Sequence, residues 1–315
     1  MRAIVLRNRS DGVREKVLVE DWPEEQAPAE GEIKTRTLFT GITNGTERNQ
    51  LIRGNYSPAD ERLPAPLGYQ SVGEVTEVGA GVSEYAVGDV VFTDCTPVEF
   101  PLSAVSGNVM RLPDAVDRSQ AALFGMASVA MHTVRNAEIE VGEHLLIVGA
   151  GCVGQLTAQL AALRGARVTI CDIVAPRLQL ARQIGAAESV IDTSGDGWSQ
   201  QVEDSSFDVV VDLAGVPGME DQLIWAATHR GRILFIAGRF NVEYTFGLGQ
   251  GREINIKQNS HFDQDDLRQT CRLVERGLLD LGSLVTEIAP CADAVRIYNT
   301  LRDRPEAFMG LVFRW

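Results

Sequence analysis

The chain has 315 residues, with 43 Asp and Glu against 29 Lys and Arg, a formal net charge of −14 at pH 7. That length accommodates two domains, each burying its own core, and 44% hydrophobic with 23% charged residues is ordinary globular composition. Such acidity repels polyanions, which excludes nucleic acid and acidic membrane surfaces as partners; Arg2, Arg7, Arg9 and Arg14 are scattered and form no basic patch.

Residues 1–8 contain no apolar core of signal-peptide length, and no stretch is long enough to span a bilayer. Cys95, Cys152, Cys171, Cys271 and Cys291 are odd in number and never form a C-x-x-C pair. This usage predicts reduced thiols and a cytoplasmic protein. The first hundred-odd residues read as β-rich. Ile33, Thr35, Thr37 and Phe39 alternate with Glu32, Lys34 and Arg36, the pattern of a half-buried strand. Residues 73–92 are rich in Val and Gly, punctuated by turns at Gly79, Gly81 and Gly88-Asp89. From Ser119 the pattern becomes helical, and a helix over 127–134 carries His132.

The most informative stretch follows. Leu145-Leu146-Ile147-Val148 reads as a strand and Gly149-Ala150-Gly151-Cys152-Val153-Gly154 as a tight turn into a helix. Val153, Leu156, Leu160 and Leu163 give that helix one buried stripe, and a second strand, Val168-Thr169-Ile170, ends at Asp172. Further strands are expected at 189–191, 208–211, 233–236 and 254–256, an alternation with helices that predicts a parallel sheet. A late helix near 265–276, with Leu267, Cys271, Val274 and Leu278 as its stripe, a helix near 292–301 and a strand near 311–313 complete the chain. The predicted fold is α/β: a doubly wound, Rossmann-type domain over 121–258, inserted into a β-rich domain made of residues 1–120 and 259–315.

Glycines at this spacing permit the sharp turn, bring backbone N–H groups close to a pyrophosphate and let helix and strand pack tightly. Phosphates would rest on the helix N-terminus, where unpaired N–H groups and the helix dipole favour negative charge. Asp172 stands where a carboxylate accepts hydrogen bonds from both ribose hydroxyls of NAD and repels a 2′-phosphate, so NAD(H) is preferred to NADP(H). Arg177 is either a solvated first-turn residue or a cation for phosphate. Cofactor contacts are expected from Gly149, Gly151, Cys152, Val153, Gly154, Asp172, Arg177, Gly215 and Gly238. Cys152 reads as packing, and His144 as a solvated residue just before its strand.

The motif order resembles the medium-chain dehydrogenase/reductase superfamily over nearly the whole chain. The resemblance rests on Gly41-Ile42-Thr43-Asn44-Gly45-Thr46-Glu47, Leu67-Gly68-Tyr69-Gln70-Ser71-Val72-Gly73-Glu74-Val75, Gly88-Asp89-Val90-Val91, the glycine turn with Asp172, Ser283-Leu284-Val285-Thr286 and Leu311-Val312-Phe313. It implies a GroES-like catalytic domain around the Rossmann domain, and a homodimer pairing through 254–256. Members that hold zinc carry Cys where this chain has Thr43, and His-Glu where it has Tyr69-Gln70. The lobe for a structural zinc is reduced to Asp94-Cys95-Thr96-Pro97, and residues 124–126 offer no third ligand. No zinc is therefore expected.

Within the superfamily the first two motifs look most like the zinc-free branch containing bacteriochlorophyllide a dehydrogenase. The resemblance implies a zinc-independent, NAD(H)-dependent oxidoreductase interconverting a secondary alcohol and its ketone. Without zinc a side chain must handle the alcohol proton or bond the oxyanion. Tyr69 is the first candidate, as proton handler or as aromatic wall. Thr43 and Thr46 either bond the substrate or cap a turn. Glu47 acts through Thr46, orients Arg48, or is a solvated or ion-paired carboxylate. Tyr56 resembles a substrate-wall residue, and His132 is a further acid or base or a structural histidine. Two other readings stay open: a quinone or enoyl reductase, against which Asp172 counts because such enzymes often take NADPH, and a nucleotide-binding protein without turnover.

Overall fold

A computed structural model of the chain describes residues 1–24, 27–195 and 198–315. It divides into two compact units, Met1–Gly125 with Asp263–Trp315, and Met126–Phe262.

The first unit is organised by the long strand Glu32–Ile42. It runs antiparallel to Ser71–Val78 on one side and to Gly310–Arg314 on the other, with Val285–Pro290 beyond. The end of the chain thus completes a sheet begun near its start. Pairing of Thr40 with Ser71 sets residues 41–43 beside 68–70, and the Gly41 N–H donates to the Gln70 carbonyl at 3.1 Å. The pairing of this strand with Ser71–Val78 shifts register between Lys34 and Thr35 and between Thr37 and Phe39. Ile33, Thr35 and Thr37 are buried and Arg36 exposed as expected, but Lys34 is buried as well and Phe39, just after the second shift, only half-buried. Helix Ala294–Asp303 lays Ile297, Tyr298 and Leu301 into a core shared with Ile4, Leu6, Ile42, Leu51 and Phe313.

In the second unit the strands lie in the order Ser189–Asp192, Arg167–Asp172, His144–Val148, Phe207–Asp212, Ala227–Phe235, Asn255–Gln258, every neighbouring pair parallel. This is a doubly wound sheet whose strand order reverses between His144–Val148 and Phe207–Asp212, the position where such sheets open a crevice at their carboxyl ends. Leu145, Leu146, Ile147, Val209, Val210 and Val211 are fully buried, as strands covered on both faces require.

Two stripe positions fall outside the core. Leu163 is the last residue of helix Cys152–Leu163 and is exposed, while Gln155 and Thr157 of the same helix are buried. Leu278 is exposed because its helix, Gln264–Glu275, ends three residues before it. His144 is not simply solvated either. It opens its strand half-buried, with Nδ1 2.9 Å from the Ser206 carbonyl, Nε2 2.9 Å from Thr169 Oγ1 and its ring against Phe207. Among the described residues no helix is long and apolar enough to cross a membrane.

The strand–turn–helix junction leaves no room for a side chain at Gly154, where a Cβ would lie 2.0 Å from the Gly149 carbonyl oxygen. Neither backbone can yield locally, so Gly154→Ala is expected to lower stability by about 1–3 kcal/mol, the usual scale of overpacking. Urea unfolding followed by circular dichroism measures it; an unchanged midpoint would refute the close approach.

Candidate functional site

The nucleotide crevice is built from the carboxyl ends of three strands in the second unit. Asp172 closes the strand Arg167–Asp172, and its buried carboxylate reaches back across the glycine turn. Oδ2 accepts the Ala150 N–H at 2.7 Å and Oδ1 accepts the Val174 N–H at 2.8 Å. Each oxygen has lone-pair capacity beyond these bonds. The carboxylate therefore fixes the turn and can still receive a vicinal diol.

The glycines divide by what surrounds them. Gly149 has φ +104°, and a Cβ there would lie 3.1 Å from the Ala214 nitrogen across the switch point. Gly154 is closed by the Gly149 carbonyl, as described above. Gly151 caps helix Cys152–Leu163 with φ −68°, and a Cβ there would meet nothing within 4 Å. Protein packing does not require glycine at that position. The open space lies before a helix N-terminus, whose first N–H groups have no intrahelical acceptor, and it fits a pyrophosphate. A dinucleotide is therefore compatible with the residues present.

Cys152 and Val153 open the helix. Burial pushes the Cys152 thiol up to about 12, which removes thiolate chemistry at neutral pH. Arg177 is not the solvated residue considered from sequence. Its side chain is largely buried, its Nη1 stands 3.8 Å from Asp172 Oδ2, and its carbonyl accepts from Gln155 Nε2 at 2.8 Å.

On the other side of the switch point Gly215 has φ +67°, and a Cβ there would lie 2.8 Å from the Ala237 Cβ and 3.4 Å from the Gly238 carbonyl oxygen. Gly215 and Gly238, separated in sequence, thus belong to one pair of touching loops. Asp212 Oδ1 accepts the N–H groups of Ala214 and Gly215, both at 3.0 Å. Arg239 closes the arrangement: it pairs with Asp212 Oδ2, donates to Glu220 at 3.2 Å and lies over the Phe235 ring. Nothing in the local pattern singles out Arg239, because its partners are 27 and 19 residues away.

In the first unit, the segment entering helix Asn44–Leu51 lies against the segment preceding strand Ser71–Val78. Thr43 is the N-cap residue of that helix, but its hydroxyl does not cap; it accepts from Gln70 Nε2 at 3.2 Å. Tyr69 is half-buried, and Gly125 passes so close that a Cβ there would lie 3.1 Å from the Tyr69 ring and 2.8 Å from Gln70 Oε1. Thr46 is half-buried and makes no side-chain hydrogen bond among the described residues.

Of the alternatives for Glu47, the ion-paired carboxylate holds, its partner being Lys16; Arg48 is held elsewhere, its Nε donating to the Arg302 carbonyl at 3.2 Å. Glu47 is buried, receiving the Thr43 N–H on Oε1 at 2.9 Å, and Lys16 Nζ at 2.5 Å and the Tyr298 hydroxyl at 2.6 Å on Oε2. Lys16 and Tyr298 carried no signal in the sequence. Burial lowers the Lys16 pKa against the pull of Glu47, and burial together with Glu47 holds the Tyr298 phenol well above its ordinary value. Tyr56 is exposed, its N–H held by Asn49 Oδ1 at 2.7 Å, and His132 is half-buried on helix Phe124–Asn136.

Thr43, Tyr69 and Gln70 offer a hydroxyl, a phenol and an amide. Zinc sites draw on thiolate, imidazole and carboxylate. The carboxylate bonded to the Thr43 backbone, Glu47, is already taken by an ammonium and a phenol. This donor set does not fit zinc.

Comparison with known proteins agrees with the architecture. Residues 29–135 match the alcohol dehydrogenase GroES-like domain, and residues 152–276 match the zinc-binding dehydrogenase model. A 2-dehydro-3-deoxy-L-galactonate 5-dehydrogenase of Pseudoalteromonas atlantica is 25% identical, over 91% of this chain and 92% of that protein. The 2-desacetyl-2-hydroxyethyl bacteriochlorophyllide A dehydrogenase of Rhodobacter capsulatus is 26% identical, over 91% of each chain. Acetophenone reductase from Geotrichum candidum, solved in complex with NAD, superimposes with a TM-score of 0.85 at 21% identity, covering 100% of this chain and 97% of that one. With a GroES-like unit completed by the last strands of the chain, a separate doubly wound nucleotide unit between its two segments in sequence, and both matched models in that order, the chain belongs to the medium-chain dehydrogenase/reductase superfamily.

Proposed function

We propose that the protein is a zinc-independent, NAD(H)-dependent oxidoreductase that interconverts a secondary alcohol and its ketone. The carrying observation is Asp172, a buried carboxylate at a strand end, beside a glycine turn whose middle glycine faces open space. The relatives named as dehydrogenases of hydroxyl-bearing substrates support the reaction class, and the neighbour solved with NAD supports a nicotinamide coenzyme; the choice of NAD(H) rests on Asp172.

When bound, the nicotinamide coenzyme supplies or accepts the hydride. The chain does the rest. Gly151 and the helix start receive the pyrophosphate, Asp172 receives the adenosine ribose hydroxyls, and the loops of Gly215 and Gly238, held by Arg239, bound the far side. Tyr69 exchanges the proton of the substrate oxygen. Thr43 helps by donation: its hydroxyl oxygen accepts from Gln70 Nε2, so its own hydrogen is available for a substrate carbonyl. Arg177 beside Asp172 offsets part of that carboxylate's charge but leaves it in place, so a 2′-phosphate is disfavoured. The assembled protein is a homodimer in this reading, pairing through the edge strand Asn255–Gln258.

Binding tests this independently of any substrate. Titration calorimetry should show NADH bound at least about tenfold more tightly than NADPH, since the 2′-phosphate meets a carboxylate that Arg177 offsets only in part; tighter NADPH would favour the enoyl-reductase reading instead. Gly151→Ala should leave the unfolding midpoint unchanged yet weaken NADH by about tenfold or more, because the methyl enters the phosphate space. Normal affinity in that variant would remove the pyrophosphate from the turn.

Chemistry is tested separately. Tyr69→Phe should lower kcat by about a hundredfold or more, the scale of a lost proton handler, with NADH affinity retained. Turnover that persists in protein shown by elemental analysis to lack zinc supports the zinc-free reading, and strict dependence on added zinc would overturn it.

A further inference from the structure

We propose that the buried Lys16–Glu47–Tyr298 cluster is a clasp that positions the substrate-side residues Thr43, Tyr69 and Gln70, doing by charge what a shared metal ion does when its ligands lie on these two segments. The substrate-side assignment rests on the proposed function; the clasp itself rests on geometry. Lys16 and Glu47 have side chains 0% and 3% exposed. Lys16 comes from strand Arg14–Val19, Glu47 from helix Asn44–Leu51, and Tyr298 from helix Ala294–Asp303.

The bonds converge on the two segments that carry the candidate site. Glu47 Oε1 receives the Thr43 N–H at 2.9 Å, fixing the first segment. Lys16 Nζ donates to the Leu67 carbonyl at 2.8 Å, fixing the second two residues before Tyr69. The ion pair between them, 2.5 Å from Nζ to Oε2, joins the two ends. Tyr298 supports the pair twice, donating its hydroxyl to Glu47 at 2.6 Å and presenting its ring 4.9 Å from Lys16 Nζ.

A buried ion pair is a poor stabiliser compared with apolar side chains of the same volume. An apolar replacement would fill the space but could bond neither the Thr43 N–H nor the Leu67 carbonyl. What the charges add is direction: two fixed bonds, one to each segment. These segments then present Thr43 Oγ1 to Gln70 Nε2 in one register. Lys16, Glu47 and Tyr298 are accordingly positioning residues, acting on the substrate through Thr43, Tyr69 and Gln70.

Amide hydrogen exchange on the full chain, read by mass spectrometry of peptides covering 40–51 and 66–73, tests the clasp. Glu47→Gln should speed exchange in both peptides by about tenfold, and Tyr298→Phe, which keeps the ring and removes one bond, by about threefold. Peptides elsewhere in the first unit should change less than about twofold, as local opening requires. In both variants NADH affinity should stay unchanged while kcat falls more than KM rises. Should Glu47→Gln unfold, Tyr298→Phe carries the test. Unaltered exchange in the two peptides, or a uniform loss of protection across the unit, would overturn the clasp. A protein that turns over no alcohol would defeat the proposed reaction and leave the exchange result standing.

Discussion

The structure turns on a contact that admits no side chain: Gly154 against the carbonyl of Gly149, with Gly149 itself pressed on Ala214 across the centre of the parallel sheet. Because strand, turn and helix meet at backbone distance, the helix start is driven to the carboxyl edge of the sheet. The strand order reverses at the same place, and the loop after Phe207–Asp212 must therefore pass beside the glycine turn. A crevice results from these two facts alone. Asp172 then serves both structure and recognition, since its bonds to the Ala150 and Val174 N–H groups hold the turn whose open face it borders.

Each unit holds a buried charge network. Arg239 joins Asp212 and Glu220 in the nucleotide unit, and Lys16 joins Glu47 and Tyr298 in the GroES-like unit. Burying a charge is costly unless it is paired and hydrogen-bonded, and these are both. Neither network was needed to fill space, because apolar residues do that better. Both bond to loop backbone: Asp212 and Arg239 at Gly215 and Ala237 in one case, Glu47 and Lys16 at Thr43 and Leu67 in the other. The helix Ala294–Asp303 contributes Tyr298 to the second network, 251 residues from Glu47.

Much of this was legible in the residues. Periodicity located the strands of the nucleotide sheet, the glycine spacing located its turn, and Asp172 followed at the strand end where it was expected. Errors collected at helix ends, at Leu163 as the last residue of its helix and at Leu278 three residues past its own, and at Phe39 just after a register shift. A helical stripe buries a side chain only while the helix lasts and a neighbour covers it. Gln155 and Thr157 show the converse, polar residues buried because the helix is covered on more than one side.

The sequence by itself determined the alternation of strands and helices in the nucleotide unit, the superfamily, and the glycine turn with its acidic partner, because each is encoded in neighbouring residues or a fixed spacing. Tertiary structure alone decided which charges pair. Glu47 could have been solvated on its helix until strand Arg14–Val19 brought Lys16 to it from 31 residues away and Tyr298 arrived from 251. Arg239 became a partner of Asp212, 27 residues away, in the same way. Ion pairing is decided by distances of a few ångströms in a medium of low dielectric, and no local pattern records which remote side chains the folded backbone will bring that close.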